Sequence, residues 1–159
     1  MIKVLFVCLG NICRSPMAEG HFKKLVQDNN LESQIYHDSA GTASYHIGEF
    51  PDKRMRETAQ KHGIILDHIV RQFNYTDFNK FDYILAMDSS NLNNILHEKE
   101  KIANTQAKVY LMRHFDKNKK DSDVPDPYYG DLNDYENVYK ILEHSVTNFF
   151  EFIRDDSKK

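Results

Sequence analysis

A run of β-branched and apolar residues, Ile2 to Val7, passes without a break into Cys8-Leu9-Gly10-Asn11-Ile12-Cys13-Arg14-Ser15-Pro16. A buried strand followed by a loop with glycine and asparagine, then proline in the first turn of a helix, leaves few ways to fold. Gly10 and Asn11 tolerate the unusual backbone angles that a loop curled around an anion requires. Such a loop turns its N–H groups inward, and the helix that follows adds its positive N-terminal end. Cys8 and Arg14 stand at the two ends of this loop. The guanidinium fork suits two phosphate oxygens at once, and donors, dipole and cation together stabilise negative charge on a sulfur nucleophile. Ser15 adds a hydroxyl able to hydrogen-bond that sulfur. A cysteine alone is more often a small buried hydrophobe; it is the combination that points to covalent phosphate chemistry. Neither G-x-x-x-x-G-K-[ST] nor G-x-G-x-x-G occurs, so nucleotide binding by those loops is unsupported.

The 159 residues suit one domain, expected to span 1–159. An apolar share of 40%, a charged share of 28% and a net charge of −3 describe an ordinary globular chain. Its 21 basic and 24 acidic residues are interspersed, without the clustered cations of a nucleic-acid footprint. Lys117, Lys119 and Lys120 are flanked by Asp116, Asp121 and Asp123 and read as a solvated loop. Two cysteines are too few for a disulfide scaffold or a Cys-rich zinc site. The Ile2–Val7 run is too short for a secretory core, and no segment approaches the roughly 20 apolar residues of a membrane span. These features predict a cytoplasmic monomer with no membrane and no nucleic-acid partner.

Further along, Met17, Ala18, Phe22, Leu25 and Val26 recur at helical spacing until Asp28-Asn29-Asn30. Gln34 to Asp38 reads as a second strand closed by a Ser39-Ala40-Gly41 turn, and Pro51 opens a helix ending at Gly63. Asp82 to Met87 is a third strand leading into a helix from Ser89 with Leu92, Ile95 and Leu96; Lys108 to Met112 is a fourth. Asn133 and Glu136 have the spacing of a capping box for a last helix with Tyr135, Val138, Leu142, Val146, Phe149 and Ile153 as its stripe. Alternating strands and helices imply a parallel sheet covered on both faces, with ligands beyond the carboxyl ends of the strands, which is where the Cys8–Arg14 loop leaves the first strand.

Transfer of a phosphoryl group from an ester to sulfur also needs a proton donor for the departing oxygen, and a base for the water that frees the enzyme. Asp121, Asp123 and Asp126, in a turn-rich segment D-S-D-V-P-D-P-Y-Y-G, all qualify. Asp88, in M-D-S-S-N, reads as a helix N-cap.

V-C-L-G-N-I-C-R-S-P-M-A-E at 7–19, D-S-A-G-T at 38–42, F-D-Y-I-L-A-M-D-S-S-N at 81–91 and D-P-Y-Y-G at 126–130 resemble the low-molecular-weight protein tyrosine phosphatases, in order and separation, over nearly the whole chain. The resemblance implies a flavodoxin-like three-layer α/β sandwich with four parallel strands in the order 2-1-3-4. It also implies hydrolysis of phosphotyrosine, in proteins, peptides and small aryl phosphates, through a phosphocysteine. It gives Cys8 the nucleophile's part, Arg14 the phosphate clamp's and Asp126 that of general acid and base; of the other two aspartates in the segment, Asp123 is the fallback. Asp88 would also steady Arg14, and Asn11, Ser15, Ser39 and His68 would brace the loop. With Asn11 and Ser15, the residues Leu9, Gly10, Ile12, Cys13, Tyr45, Tyr128 and Tyr129 would form the substrate site. Relatives that act on phosphoarginine carry threonine where Ile12 stands, so isoleucine favours phosphotyrosine. Inorganic phosphate and oxyanion inhibitors would compete for the site. No cofactor or metal is expected, because Arg14 and backbone donors already neutralise the phosphate. Cys13, five residues from Cys8 in a curled loop, makes a reversible disulfide plausible.

Competing readings are a thioredoxin-linked arsenate reductase, a phosphoarginine phosphatase of the same fold, and a non-catalytic phosphotyrosine-binding module. The reductase needs cysteines downstream of the loop that this chain lacks. A binding module needs neither nucleophile nor proton donor. An FMN carrier is conceivable on fold alone.

Overall fold

In a computed structural model, which describes residues 1–157, four parallel strands stand in the order β2-β1-β3-β4. They are β1 (Ile2–Cys8), β2 (Ile35–Gly41), β3 (Tyr83–Ala86) and β4 (Lys108–Leu111), the α/β flavodoxin-like arrangement that the resemblance implied. The expected 1–159 domain thus ends two residues beyond the described ones. The helices are α1 (Arg14–Asp28), α2 (Lys53–Lys61), α3 (Asp77–Lys80), α4 (Ser89–Lys99) and α5 (Leu132–Ser157), with a 3-10 helix at Met112–Phe115.

Alternation along β1 builds a core on each side of the sheet. Val4, Phe6 and Cys8 face the cluster that includes Met17 and Phe22 of α1, Met55 and Ala59 of α2, and Leu142, Val146 and Phe149 of α5. Leu5 and Val7 face a smaller cluster with Phe73, Phe78, Phe81 and Ile95. All six residues expected in the stripe of α5 are buried, which drives the packing of this long helix. No helix among the described residues is long and apolar enough to cross a membrane.

Three local expectations are corrected. Ser39-Ala40-Gly41 is not a turn but the end of β2, paired with Phe6, Val7 and Cys8 of β1. A Cβ on Gly41 would lie 2.7 Å from the Leu9 carbonyl and 3.1 Å from the Asn11 amide, so only glycine lets the strand run this close beneath the loop. The capping box of α5 is made two residues earlier than expected. The Asp134 amide donates to Asp131 Oδ1 (3.1 Å), and the Asp131 amide donates to Asp134 Oδ2 (2.8 Å). Glu136 is drawn off to His62 (2.6 Å), whose ring stacks on Tyr139. Finally, Leu96 of α4 is 41% exposed rather than core.

Phe149 lies at the centre of the larger core, with ring centroids 5.1 Å from Phe115, 5.6 Å from Tyr83, 6.0 Å from Phe22 and 6.4 Å from Phe6. Phe149→Ala is expected to cost about 3–5 kcal/mol, because a fully buried ring in such surroundings leaves a cavity. Urea unfolding checks this, and a loss below about 1 kcal/mol would mean that the site collapses freely.

Candidate active site

Cys8 ends β1, and the chain curls through residues 9–13 before Arg14 opens α1. Asn11 sits at φ 58, the left-handed conformation that lets the loop close on itself. Its amide N–H donates to Cys8 Sγ (3.2 Å), and Ser15 Oγ lies 3.0 Å from the same sulfur. Asn11's side chain decides which way that hydroxyl points. Its Nδ2 donates to Ser15 Oγ (2.8 Å) and Ser39 Oγ (3.1 Å), while its Oδ1 accepts from His68 Nε2 (2.7 Å) and from the Arg71 amide (3.2 Å). With an acceptor site on Ser15 Oγ filled by Asn11, the serine hydrogen is left to the Ala40 carbonyl (3.4 Å) or the nearer sulfur (3.0 Å), and an anionic sulfur is the stronger acceptor. Cys13 at the N-cap gives α1 no side-chain acceptor, which leaves the positive helix end to an anion in the loop.

Behind this row lies a second one. Ser39 Oγ donates to Glu19 Oε1 (2.9 Å), and Glu19 Oε2 accepts from His37 Nδ1 (2.7 Å). Asp38 accepts from Arg71 Nε (2.8 Å), and Arg71 also holds Asp77. Glu19, Asp38 and His68 form the one group of three potential metal ligands among the described residues. Each is already engaged by His37 and Ser39, by Arg71 or by Asn11, so the group acts as a brace for the loop.

Arg14 is buried. Its Nη1 donates to Asp88 Oδ2 (2.6 Å) and to the Val124 carbonyl (3.0 Å), and its Nη2 stands 3.6 Å from Asp126 Oδ2. Burial alone would lower its pKa, but Cys8 and Asp88 outweigh that and raise it, so the guanidinium stays charged. Asp88 carries two duties: its second oxygen accepts from the Asn91 amide (2.7 Å) as the N-cap of α4.

Cys8, Arg14 and Asp126 line one cavity of about 210 Å³, with Leu9, Gly10, Ile12, Cys13, Tyr45, His46, Tyr128 and Tyr129. Cys8 is only 2% exposed, while Tyr45 (74%) and Tyr129 (96%) stand at the rim. Among the expected site residues, Asn11 and Ser15 lie wholly buried behind this cavity rather than in its wall, and Ser39, His68 and Asp88 are likewise outside its lining. The alternative acids are engaged elsewhere. Asp123 accepts from the amide and hydroxyl of Ser89 (2.9 and 3.1 Å), and Asp121, at φ 63, pairs with His114 (2.9 Å).

Some participants were not anticipated, His46 and Glu19 among them. His46 lines the cavity, with its Nδ1 on Glu49 (2.9 Å) and its ring beside Gly10; nothing in the sequence around Tyr45 marks it. Glu19 had a legible signal, four residues beyond Ser15 on the same face of α1. Cys13 turns its sulfur to the Tyr135 hydroxyl (3.8 Å), and burial pushes its thiol up to about 12.

Comparison with known proteins places this geometry. The family model for the low molecular weight phosphotyrosine protein phosphatase matches residues 3–159. A low molecular weight phosphotyrosine protein phosphatase from Gallus gallus is 47% identical over 148 residues, 93% of each chain. The crystal structure of a protein tyrosine phosphatase from Entamoeba histolytica superposes with a TM-score of 0.92 at 40% identity, covering 99% of each chain. The Drosophila arginine phosphatase DARP superposes with a TM-score of 0.90 at 36% identity, covering 96% of this chain and 98% of its own.

Two outcomes test the site's construction. Gly41→Ala should lower kcat/KM on p-nitrophenyl phosphate by about tenfold or more, because the added methyl pushes the loop from beneath; unchanged turnover would mean that the loop yields without cost. Brief alkylation at pH 8 should label Cys8 alone, since a thiol near 12 is almost wholly protonated there. Peptide mass mapping reads this, and equal labelling of Cys13 would contradict it.

Proposed function

The chain belongs to the low molecular weight phosphotyrosine protein phosphatase family, and on that premise we propose how its own residues hydrolyse phosphotyrosine in proteins. The aryl phosphate enters with its ring between the tyrosines of the rim and its phosphorus above Cys8. The sulfur attacks in line with the ester oxygen; an S–P bond forms as the P–O bond to the ring breaks. Arg14 and the loop amides take the non-bridging oxygens, where charge is held through the transition state. Asp126 gives its proton to the departing phenolic oxygen, and the freed carboxylate then takes one from a water molecule. That water attacks the phosphocysteine, releasing inorganic phosphate and restoring the thiolate, which the Asn11 amide and the Ser15 hydroxyl receive.

The observation that carries this reading is the convergence of a buried sulfur, a buried guanidinium and a half-exposed carboxylate on one cavity, with Arg14 and Asp126 3.6 Å apart. A nucleophile set below aromatic walls favours an ester long enough to reach it, as an aryl phosphate is. Ile12, in the cavity wall, offers a phosphorylated guanidine no hydroxyl to recognise it. Phosphate and other tetrahedral oxyanions bind the same loop, and the working unit is a cytoplasmic monomer. Under peroxide the Cys8 sulfur would become sulfenic acid, and condensation with the Cys13 thiol would expel water to leave a disulfide. Burial of Cys13 makes that step slow.

Cys8→Ser should abolish release of phosphate while vanadate still binds. Among matched peptides carrying phosphotyrosine, phosphoserine or phosphoarginine, the first should be hydrolysed fastest by the unaltered enzyme. Substantial turnover by Cys8→Ser would remove sulfur from the mechanism, and preference for phosphoarginine would reassign the substrate.

A further inference from the structure

The acid-bearing segment is fixed at five points before it reaches Asp126. The Asp121 amide donates to the Arg113 carbonyl (2.8 Å), and the Asp123 carboxylate sits on Ser89. The Val124 amide donates to the Met87 carbonyl (2.8 Å), and the Val124 carbonyl accepts from Arg14 Nη1 (3.0 Å). Only Pro125 separates Val124 from Asp126, and Pro127 follows. Two prolines with fixed φ make Pro125-Asp126-Pro127 stiff, and the Tyr128 amide donates to Asp126 Oδ1 (3.1 Å), so the height of the Asp126 carboxyl depends on where Asp123 and Val124 are held upstream of this turn.

The fifth hold is a second cation. Arg113, at the start of the segment in the 3-10 helix, is 8% exposed. Its Nη1 donates to the Asp123 carbonyl (3.0 Å), and its Nε donates to Asp116 Oδ2 (2.9 Å). Asp116 is itself fixed, accepting from the amides of Asn118 (2.8 Å) and Lys119 (3.0 Å). Burial works against its charge, but those amides and Arg113 together hold its carboxyl below the usual range. One guanidinium therefore joins an anchored carboxylate to the peptide that precedes Val124, the residue whose carbonyl the phosphate clamp also grips. The ordinary part for such a buried Arg–Asp pair is stability of the 3-10 helix. Its second bond, onto the acid segment three residues short of Asp126, gives it a further part.

We propose that Arg113 is a positioning residue for the general acid, setting the Asp126 carboxyl over the ester oxygen by holding the Asp123 carbonyl. The inference rests on Asp126 being the acid, and its test separates the two. Four proteins are compared: unaltered, Arg113→Gln, Asp126→Asn and the double variant. For each, kcat/KM is measured on phenyl phosphate, whose leaving group needs a proton, and on 2,4-dinitrophenyl phosphate, whose leaving group does not. Arg113→Gln should lose about tenfold or more on phenyl phosphate and less than about threefold on the dinitrophenyl ester, because a misplaced acid fails only where protonation matters. In the Asp126→Asn background the same change should have no further effect on phenyl phosphate, the sign of two residues acting through one step. Arg113→Lys, which keeps one of the two donors, should fall between. Vanadate affinity, which reads the loop at 8–14, should stay within about twofold and show each variant folded. Equal losses on both esters, or a full extra loss in the double variant, would reduce Arg113 to a structural residue. Were Asp126→Asn to treat the two esters alike, it is the acid assignment that would fall instead.

Discussion

Asn11 holds a left-handed backbone at φ 58 while its side-chain amide uses both hydrogens and its oxygen on four neighbours. The strained backbone turns an N–H toward Cys8, and the saturated side chain fixes the sense of the Ser15 hydroxyl, so one residue sets two donors on the sulfur. The remaining construction serves that residue. β2 must run close enough to bring up Ser39, which requires glycine at 41, and His68 and Arg71 must return along the far side to meet its oxygen. A buried polar network of this kind stabilises only when every member is satisfied, and here Glu19, His37 and Asp38 complete it.

The second half of the site is joined to the first through Arg14. Its guanidinium is shared among Asp88, the Val124 carbonyl and the approach of Asp126. The group that holds the phosphate therefore also holds the segment that brings the proton. Nucleophile and acid come from places more than a hundred residues apart in the chain, yet they are referred to one side chain. This makes the relative height of sulfur and carboxyl insensitive to small motions of either loop. The rim carries no tie to Arg14 among the bonds described above: Tyr45 and Tyr129 are exposed parts of the cavity lining.

Much of this was readable from residue order, because it depends on neighbours in sequence. Cys8, Arg14, Ser15 and the start of α1 form one continuous stretch, and a strand, a tight loop and a proline-opened helix allow only one general shape. The stripe of α5 was equally legible, since its spacing is a property of the helix itself. Where a residue had a distant partner, local reading went astray. Glu136 looked like a cap but is taken by His62, and Ser39–Gly41 looked like a turn but is a strand, because β1 lies beside it.

Residue order alone supplied the reaction's ingredients: a thiol and a guanidinium at the ends of a loop, a following helix, and a short segment rich in aspartates. Three of those aspartates had equal local claims, and no pattern of neighbours separates them; the family likeness pointed to Asp126. Only the tertiary structure shows why, since Ser89 engages Asp123, His114 engages Asp121 and Arg14 draws in Asp126, all across gaps that residue spacing does not encode. It also brought His46 to the cavity wall and Arg113 beneath the acid segment. Chemistry follows from residue type, but which group reaches the substrate depends on long-range hydrogen bonds made only once the sheet has closed.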